Sequence, residues 1–227
     1  MTDHLRRPAP DASRLPAPDV SRLPAPDVAF RPAADAASRA VPDLSHRLAP
    51  GVTFRPAVIA DAPSFAATLT RNRAYLRRWE PVRPESFYTV EGQAARLTAL
   101  LADRDAGRAM PWVLADADDR VIGAFTLSGV ERGPFRNARL GYWVDEGHTG
   151  RGLATAAVGA VCEAARDRLG LHRVEAATVT DNAPSQRVLA KAGFERIGTA
   201  PGYLHISGRW RDHHLFQRLL HDDAPAA

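Results

Sequence analysis

The chain has 227 residues, 45% hydrophobic and 25% charged, with a formal net charge of +4. Residues 1–50 hold nine of the eighteen prolines and set seven Arg against six Asp, so positive charge is not concentrated there, which excludes a basic arm for nucleic acid. A single cysteine, Cys162, excludes a disulfide framework or a cysteine-rich zinc site, and no apolar run approaches the ~20 residues of a membrane span. The basic residues are almost all Arg, Lys191 being the only lysine. With no apolar segment behind the polar N-terminus, the expected location is the cytoplasm.

Residues 1–50 carry few bulky anchors, Val20 and Phe30 among scattered Val and Leu, and cannot bury a core. They contain a direct repeat: Arg14 to Ser21 reads RLPAPDVS, Arg22 to Ala29 reads RLPAPDVA, and Arg7 to Ser13 is a degraded copy. A period of eight is too short for a solenoid unit, and Pro-Ala-Pro steps favour extended chain, so residues 1–50 read as a disordered spacer. The remaining residues, 51–227, are ample for one domain with its own core.

Alternation at Val52 and Phe54 predicts a first strand, and Asp61 followed by Pro63 predicts a helix start leading into Phe65 and Leu69. The helical region is expected to continue over Arg71 to Trp79, to break at Pro81 and Pro84, and to resume behind Thr89 as a capped helix carrying Leu97, Leu100 and Leu101. Trp112 to Ala115 and Val121 to Val130, separated by Asp116, Asp118 and Asp119, read as a hairpin. A strand over Leu140 to Val144 runs into a glycine-rich loop, and the loop opens a helix with the apolar face Ala154, Val158, Val161, Ala165, Leu169. A strand over Val174 to Val179, a helix from about Ser185 to Ala192, a strand over Phe194 to Ile197 and a last strand near His213 to Leu220 complete the chain. The fold class is α/β with a mixed sheet: an antiparallel first half, then a parallel βαβ crossover.

The sharpest local signal is Gly147-His148-Thr149-Gly150-Arg151-Gly152-Leu153-Ala154-Thr155 between a strand and a helix. Glycines let backbone amides turn toward a ligand, and the helix amino end adds partial positive charge, so a phosphate or pyrophosphate fits. A Walker loop fails because Leu153 and Ala154, not Lys and Ser or Thr, follow Gly152. A dinucleotide fingerprint is a poor match, since Thr155 stands where its third glycine belongs and little chain remains for further βαβ units. A pyrophosphate cradle for coenzyme A remains, alongside a plain strand-to-helix turn that binds nothing.

These segments resemble the GNAT acyltransferases, and within them the RimJ/RimL-type ribosomal-protein-alanine N-acetyltransferases. The resemblance runs over Gly51 to Leu220. It rests on Arg71-Asn72-Arg73 with Leu76, Trp79, Glu80 and Pro81; on Ser86-Phe87-Tyr88-Thr89 with Glu91-Gly92; and on Gly141-Tyr142-Trp143-Val144-Asp145 entering the glycine loop. Further on it includes Asp181-Asn182 with Ser185, Ala192-Gly193-Phe194, and Gly202-Tyr203-Leu204 followed by Gly208, Trp210, Arg211, Asp212 and His213, a segment nearer the RimJ branch. One departure is Thr149, where the family's loop often begins with Gln or Arg. The resemblance implies a GNAT-like fold over 51–227 and transfer of acetyl from acetyl-CoA to a primary amine, with the N-terminal alanine of a ribosomal protein or another protein N-terminus as the favoured acceptor. It leaves open a small amine, an antibiotic or a lysine, another acyl group, or a binding module that has lost catalysis.

Carried onto this sequence, the resemblance implies that Tyr142, Trp143, Val144, Thr149, Gly150, Arg151, Gly152, Leu153, Ala154, Thr155, Asn182 and Ser185 border the acetyl-CoA. Ser185 would face the coenzyme sulfur, its alternative being ordinary first-turn capping; Asn182 either contacts the acyl-CoA arm or caps the helix. Glu80 is a candidate base or electrostatic anchor, or simply a solvated acid, and Tyr203 a wall of the acceptor cleft or an acid. Trp210 reads as core and Cys162 as buried and inert. Asp212, His213 and His214 lack metal-site spacing, so no metal is expected. Where many relatives place a carboxylate just before the Gly-Tyr-Trp strand, this chain has Arg139. No direct nucleic-acid or membrane partner is expected, and the chain is expected to be a monomer or homodimer.

Overall fold

The computed structural model describes residues 45–223; the repeats and the rest of residues 1–44 lie outside them. Among the described residues eight strands form one sheet in the order β1-β2-β3-β4-β5-β6-β8-β7. The strands are β1 (His46–Ala49), β2 (Val52–Pro56), β3 (Ala109–Ala115), β4 (Val121–Glu131), β5 (Asn137–Val144), β6 (Arg173–Val179), β7 (Glu195–Ile206) and β8 (Arg209–Leu219). The helices are α1 (Ala62–Arg71), α2 (Arg73–Leu76), α3 (Val90–Asp105), α4 (Leu153–Asp167) and α5 (Ala183–Lys191). Strands β1 to β5 pair antiparallel, β5 and β6 pair parallel, and β6, β8 and β7 return to antiparallel pairing. The expected antiparallel half and parallel crossover are both present, the crossover helix being α4.

Two cores lie on opposite faces of the sheet. One collects Phe54, Trp112, Phe125 and Leu140 with Val158, Val161 and Leu189 from α4 and α5. The other joins Phe65 and Leu69 of α1 to Leu97 of α3 over Val113 and Val121. Successive residues of a strand point to opposite faces, so Tyr142 packs against the first core and its neighbour Trp143 against the second.

Four expectations are corrected. Strand β1 falls before residue 51, pairs with β2 and packs Leu48 and Ala49 against the first core, so the folded unit begins earlier than the boundary at Gly51. The helical run over Arg71 to Trp79 is interrupted at Asn72 (φ −92°, ψ 6°), leaving α2 only one turn long. Strand β7 extends past Ile197 to Ile206, through Pro201 and Gly202: it lies at the sheet edge, where a missing N–H is tolerated, and a register shift between Ala200 and Leu204 absorbs the irregularity. It turns into β8 at Ser207 and Gly208, whose φ of 49° and 80° are both left-handed, as a tight hairpin turn requires. Trp210, on that hairpin, is 67% exposed and edge-on to His205 instead of in the core.

The helix signals act much as expected, with one change of partner. Thr89 accepts from the Gly92 amide at 3.0 Å and caps α3. Asp61 precedes α1 but caps no amide of that helix; its carboxylate takes Arg55 at 2.7 Å and the Val58 amide at 2.8 Å.

Candidate active site

The site starts where β5 and β6 part. Their pairing runs from Asn137 opposite Arg173 to Leu140 opposite Ala176 and then stops, although β5 continues to Val144 and β6 to Val179. Beyond Leu140 the facing edges of two central strands therefore lack each other as partners, which opens the middle of the sheet to an extended ligand with amide groups of its own.

At one end of this opening stands the glycine loop. Gly150 (φ +74°) and Gly152 (φ +76°) occupy the left-handed region, and a Cβ at either would meet nothing within 4 Å, so these glycines serve the backbone path and face open space. Gly152 is the N-cap of α4 and supplies no side chain, leaving the first amides, from Leu153 to Thr155, without a side-chain cap. Thr149 is exposed, and its hydroxyl donates to the Glu146 carbonyl at 2.8 Å and braces the turn. Gly150, Arg151 and Gly152 are exposed, Leu153 is buried against the sheet, and Ala154 and Thr155 are half-buried. Uncapped amides at the amino end of a 15-residue helix fit a pyrophosphate, which is the test that a nucleotide-bearing acyl donor must pass here.

The base of the loop is fixed by a buried carboxylate. Asp145, 5% exposed, accepts from Asn72 Nδ2 at 2.8 Å, from Arg71 at 2.9 Å and faces His148 Nδ1 at 3.0 Å. Asn72, 1% exposed, also donates to the Thr68 carbonyl at 2.9 Å and accepts from the Glu146 amide at 2.8 Å. Burial pushes the Asp145 carboxyl up, but hydrogen bonds from Asn72, Arg71 and His148 outweigh it and hold it below its ordinary value. The break at Asn72 is thus what aims one side chain at both the carboxylate and the loop backbone.

Across the opening, after β6, Asn182 caps α5: its side-chain oxygen accepts from the Ser185 amide at 3.2 Å. The Ser185 hydroxyl meets the Tyr142 hydroxyl at 2.8 Å, and the same tyrosine oxygen lies 3.3 Å from the Ser185 carbonyl. Tyr142 is stacked on Phe125 at 5.5 Å with its ring nearly parallel. Burial pushes its hydroxyl up to about 12, the Ser185 contact pulling the other way, so Tyr142 keeps its proton at neutral pH. Trp143 turns its ring to the opposite face, edge-on to Phe65 at 6.2 Å, and Val144 is buried, so these two offer the opening backbone and not side chain.

The remaining candidates scatter. Glu80 is half-buried, and burial raises its carboxyl while Arg83 and Arg96 pull it back. Tyr203 is 39% exposed on β7 with its ring 5.3 Å from that of His213. Cys162 is buried, its thiol pushed up to about 11 mainly by burial, which makes a poor nucleophile. Among the described residues no group of three or more His, Cys, Asp or Glu is placed to hold a metal, and no helix is long and apolar enough to cross a membrane.

Two features carried no role in the sequence reading. One is the Asn72–Asp145 pair, both residues of which appear in the family-like segments without a role being drawn from either. The other is an open cleft of about 490 Å³ lined by Arg78, Trp79, Asp181, Ser207, Arg209 and Arg211, assembled from three distant segments.

A sheet split at its parallel pair beneath a glycine loop and helix amino end is the architecture of an acyl-CoA-dependent acetyltransferase. Residues 52–195 match the acetyltransferase (GNAT) domain, and the chain belongs to that family. It is 37% identical over 166 residues to the [ribosomal protein uS5]-alanine N-acetyltransferase of Escherichia coli (strain K12), covering 73% of this chain and 86% of that protein. The crystal structure of ribosomal-protein-S5-alanine acetyltransferase from Vibrio fischeri superposes with a TM-score of 0.77 at 33% identity, over 81% of this chain and 100% of that one. Mycobacterium smegmatis RimJ in complex with CoA-disulfide superposes with a TM-score of 0.71 at 33% identity, over 74% of this chain and 81% of that one. The chain is an N-acetyltransferase of GNAT type.

Proposed function

We propose that this enzyme moves acetyl from acetyl-CoA to the α-amino group of a protein N-terminus, most specifically an N-terminal alanine of a ribosomal protein. The observation that carries the chemistry is the Tyr142–Ser185 contact at 2.8 Å, at the turn into α5 beside the parted ends of β5 and β6. The acceptor follows from the relatives named for alanine N-acetylation of the ribosomal protein.

In this reading the uncapped amides of α4 and the loop around Gly150, Arg151 and Gly152 hold the donor's pyrophosphate. The open edge of β5 at Tyr142, Trp143 and Val144 holds its extended arm, with Asn182 bordering it. Bond making joins the acceptor nitrogen to the thioester carbonyl carbon, the carbon–sulfur bond breaks, the amine gives up a proton and the sulfur gains one. A serine hydroxyl is far less acidic than a thiol of pKa near ~8.5, so Ser185 stabilises the departing sulfur by a hydrogen bond, and the net proton comes from the amine. When Tyr142 donates to Ser185 Oγ, the serine's own proton is left to point at that sulfur.

An α-amine of pKa near ~7.8 is already about one-seventh neutral at pH 7, against roughly four in ten thousand for a lysine near ~10.4. An α-amine thus needs no strong base, which agrees with a site whose nearby carboxylates are Glu80, half-buried within the electrostatic reach of Arg83 and Arg96, and Asp181, paired with Arg211. The test is incubation with labelled acetyl-CoA and a panel of peptides read by mass. Acetyl on the α-nitrogen of alanine-initiated peptides is the expected result; label on an internal lysine, with those N-termini unmodified, overturns the acceptor and leaves the acetyltransferase class standing.

A further inference from the structure

The cleft of about 490 Å³ sets three guanidinium groups against one carboxylate, and its size is within the ~300–1,000 Å³ usual for small-ligand pockets. Arg211 pairs with Asp181 at 2.8 Å, yet the Asp181 side chain is still 59% exposed and has an oxygen to spare. Arg78 lies over the Trp79 ring at 4.4 Å, which orients the guanidinium without neutralising it. Neither Arg78 nor Arg209 forms an ion pair among the described residues. The rim is built: Ser207 Oγ donates to the Arg77 carbonyl at 2.7 Å and ties the β7–β8 turn to the end of α2. Asp181 directly precedes Asn182, which caps the Ser185 amide, so one wall of the cleft is continuous with the turn that carries the reacting centre.

Resting on the acetyl-transfer reading above, we propose that this cleft selects acceptors bearing a carboxylate within about two residues of the amine. The carboxylate is held by Arg78 and Arg209, and Asp181 faces the amine. Planar guanidinium forks match carboxylates in bidentate geometry, and the Asp181 charge favours the amine end over the reverse orientation. Two sources supply that carboxylate: an Asp or Glu side chain at the second or third position of a peptide, and the α-carboxylate of a free amino acid.

The test measures kcat/KM on matched peptides beginning Ala-Asp-Glu and Ala-Asn-Gln, and on free alanine against alaninamide, with the wild type and Arg78→Gln/Arg209→Gln. Exposed ion pairs of this kind correspond to about two- to five-fold in kcat/KM, so the wild type is expected to prefer the anionic member of at least one pair by that factor. The double variant is expected to bring the ratio near one while the acetyl-CoA KM stays unchanged, which also shows that it folds. Independently of any variant, raising salt from about 0.05 to about 0.5 M is expected to erode the wild-type preference, since exposed charges are screened. Preference within the peptide pair identifies the side chain as the source, and preference within the alanine pair the α-carboxylate. Equal turnover of both members of both pairs, or a preference that survives the double variant, overturns the cleft assignment and leaves acetyl transfer intact; no acetylation of any amine overturns both.

Discussion

Replacing Asn72 by alanine removes a side chain that joins the α1–α2 junction to the base of the glycine loop. Three hydrogen bonds disappear: to Asp145 at 2.8 Å, to the Thr68 carbonyl at 2.9 Å and from the Glu146 amide at 2.8 Å. They do not count equally. The Thr68 carbonyl keeps the Asn72 backbone amide at 3.0 Å, and Glu146 is exposed, so water can reach its N–H. Asp145 is the costly partner, a buried carboxylate that loses one of its donors. An unsatisfied buried group costs about 1–3 kcal/mol, more when charged, so the sum is about 2–4 kcal/mol, or roughly 4–16 °C in melting temperature for a domain of this size. Because the Glu146 amide is the loop's tether, the acetyl-CoA Kd is expected to rise about ten-fold as well. Thermal unfolding by circular dichroism and calorimetric titration with acetyl-CoA read the two effects. Arg71→Ala is the control: that side chain is 58% exposed, and its pair with Asp145 contributes about 1 kcal/mol or less. A melting temperature for Asn72→Ala within a degree of wild type would refute the claim that Asp145 depends on it.

Gly152→Asp puts a side chain at φ +76° and a negative charge at the helix amino end, and calorimetry is expected to show acetyl-CoA binding abolished while the fold survives. Ser185→Ala is expected to lower kcat by about ten- to a hundred-fold with little change in the acetyl-CoA KM, and the wild-type rate on an alanine peptide to rise with an apparent pKa near ~8 and then level. Glu80→Gln is expected to be mild on that peptide, and a severe loss would point to an acceptor of higher pKa. The Asp145 carboxyl is depressed in the folded state, so its contribution is complete above the ordinary carboxylate range and is lost as pH falls through the lower folded value. Acid unfolding below about pH 4 should therefore be less steep in Asp145→Asn, at the expense of stability at pH 7. Deleting residues 1–44 is expected to leave melting unchanged on compositional grounds, whereas deletion through residue 50 removes β1 with Leu48 and lowers it, as differential scanning fluorimetry would show.

What the sequence disclosed and what it hid divide along physical lines. Strand and helix positions with a clear period, such as the hairpin β3–β4 and the apolar face of α4, were legible because burial repeats at the period of the element. Strand β1 was hidden because four residues at a sheet edge carry no alternation of their own, their partner β2 supplying the pattern. Most of β7 was hidden because Pro201 and Gly202 read as a turn, and only its place at the sheet edge makes them tolerable. At the candidate site, the glycine loop and the turn into α5 at Ser185 were visible as local motifs, and their role there is a proposal. The Tyr142–Ser185 contact and the arginine cleft span 43 residues and three separate segments respectively, and no local pattern encodes such meetings.

Asp145 shows why the two halves of the site keep their relative position. A carboxylate buried at the end of a strand is expensive, and a hydrophobic side chain of like size would cost less. Its donors come from two segments, Arg71 and Asn72 from the α1–α2 junction and His148 from the glycine loop that follows β5. The Asn72 oxygen then returns to the loop backbone at Glu146, so the tie is doubled. From that junction the chain runs through the single turn of α2 to Arg78 and Trp79, which border the cleft, and the Ser207 contact to Arg77 closes the circuit onto β7 and β8. A continuous path of hydrogen bonds and backbone therefore joins the glycine loop to the cleft wall. Since transfer between two bound substrates loses rate steeply with misplacement of either, the hydrogen bonds that stabilise the fold at Asp145 would also keep the proposed donor and acceptor sites in register.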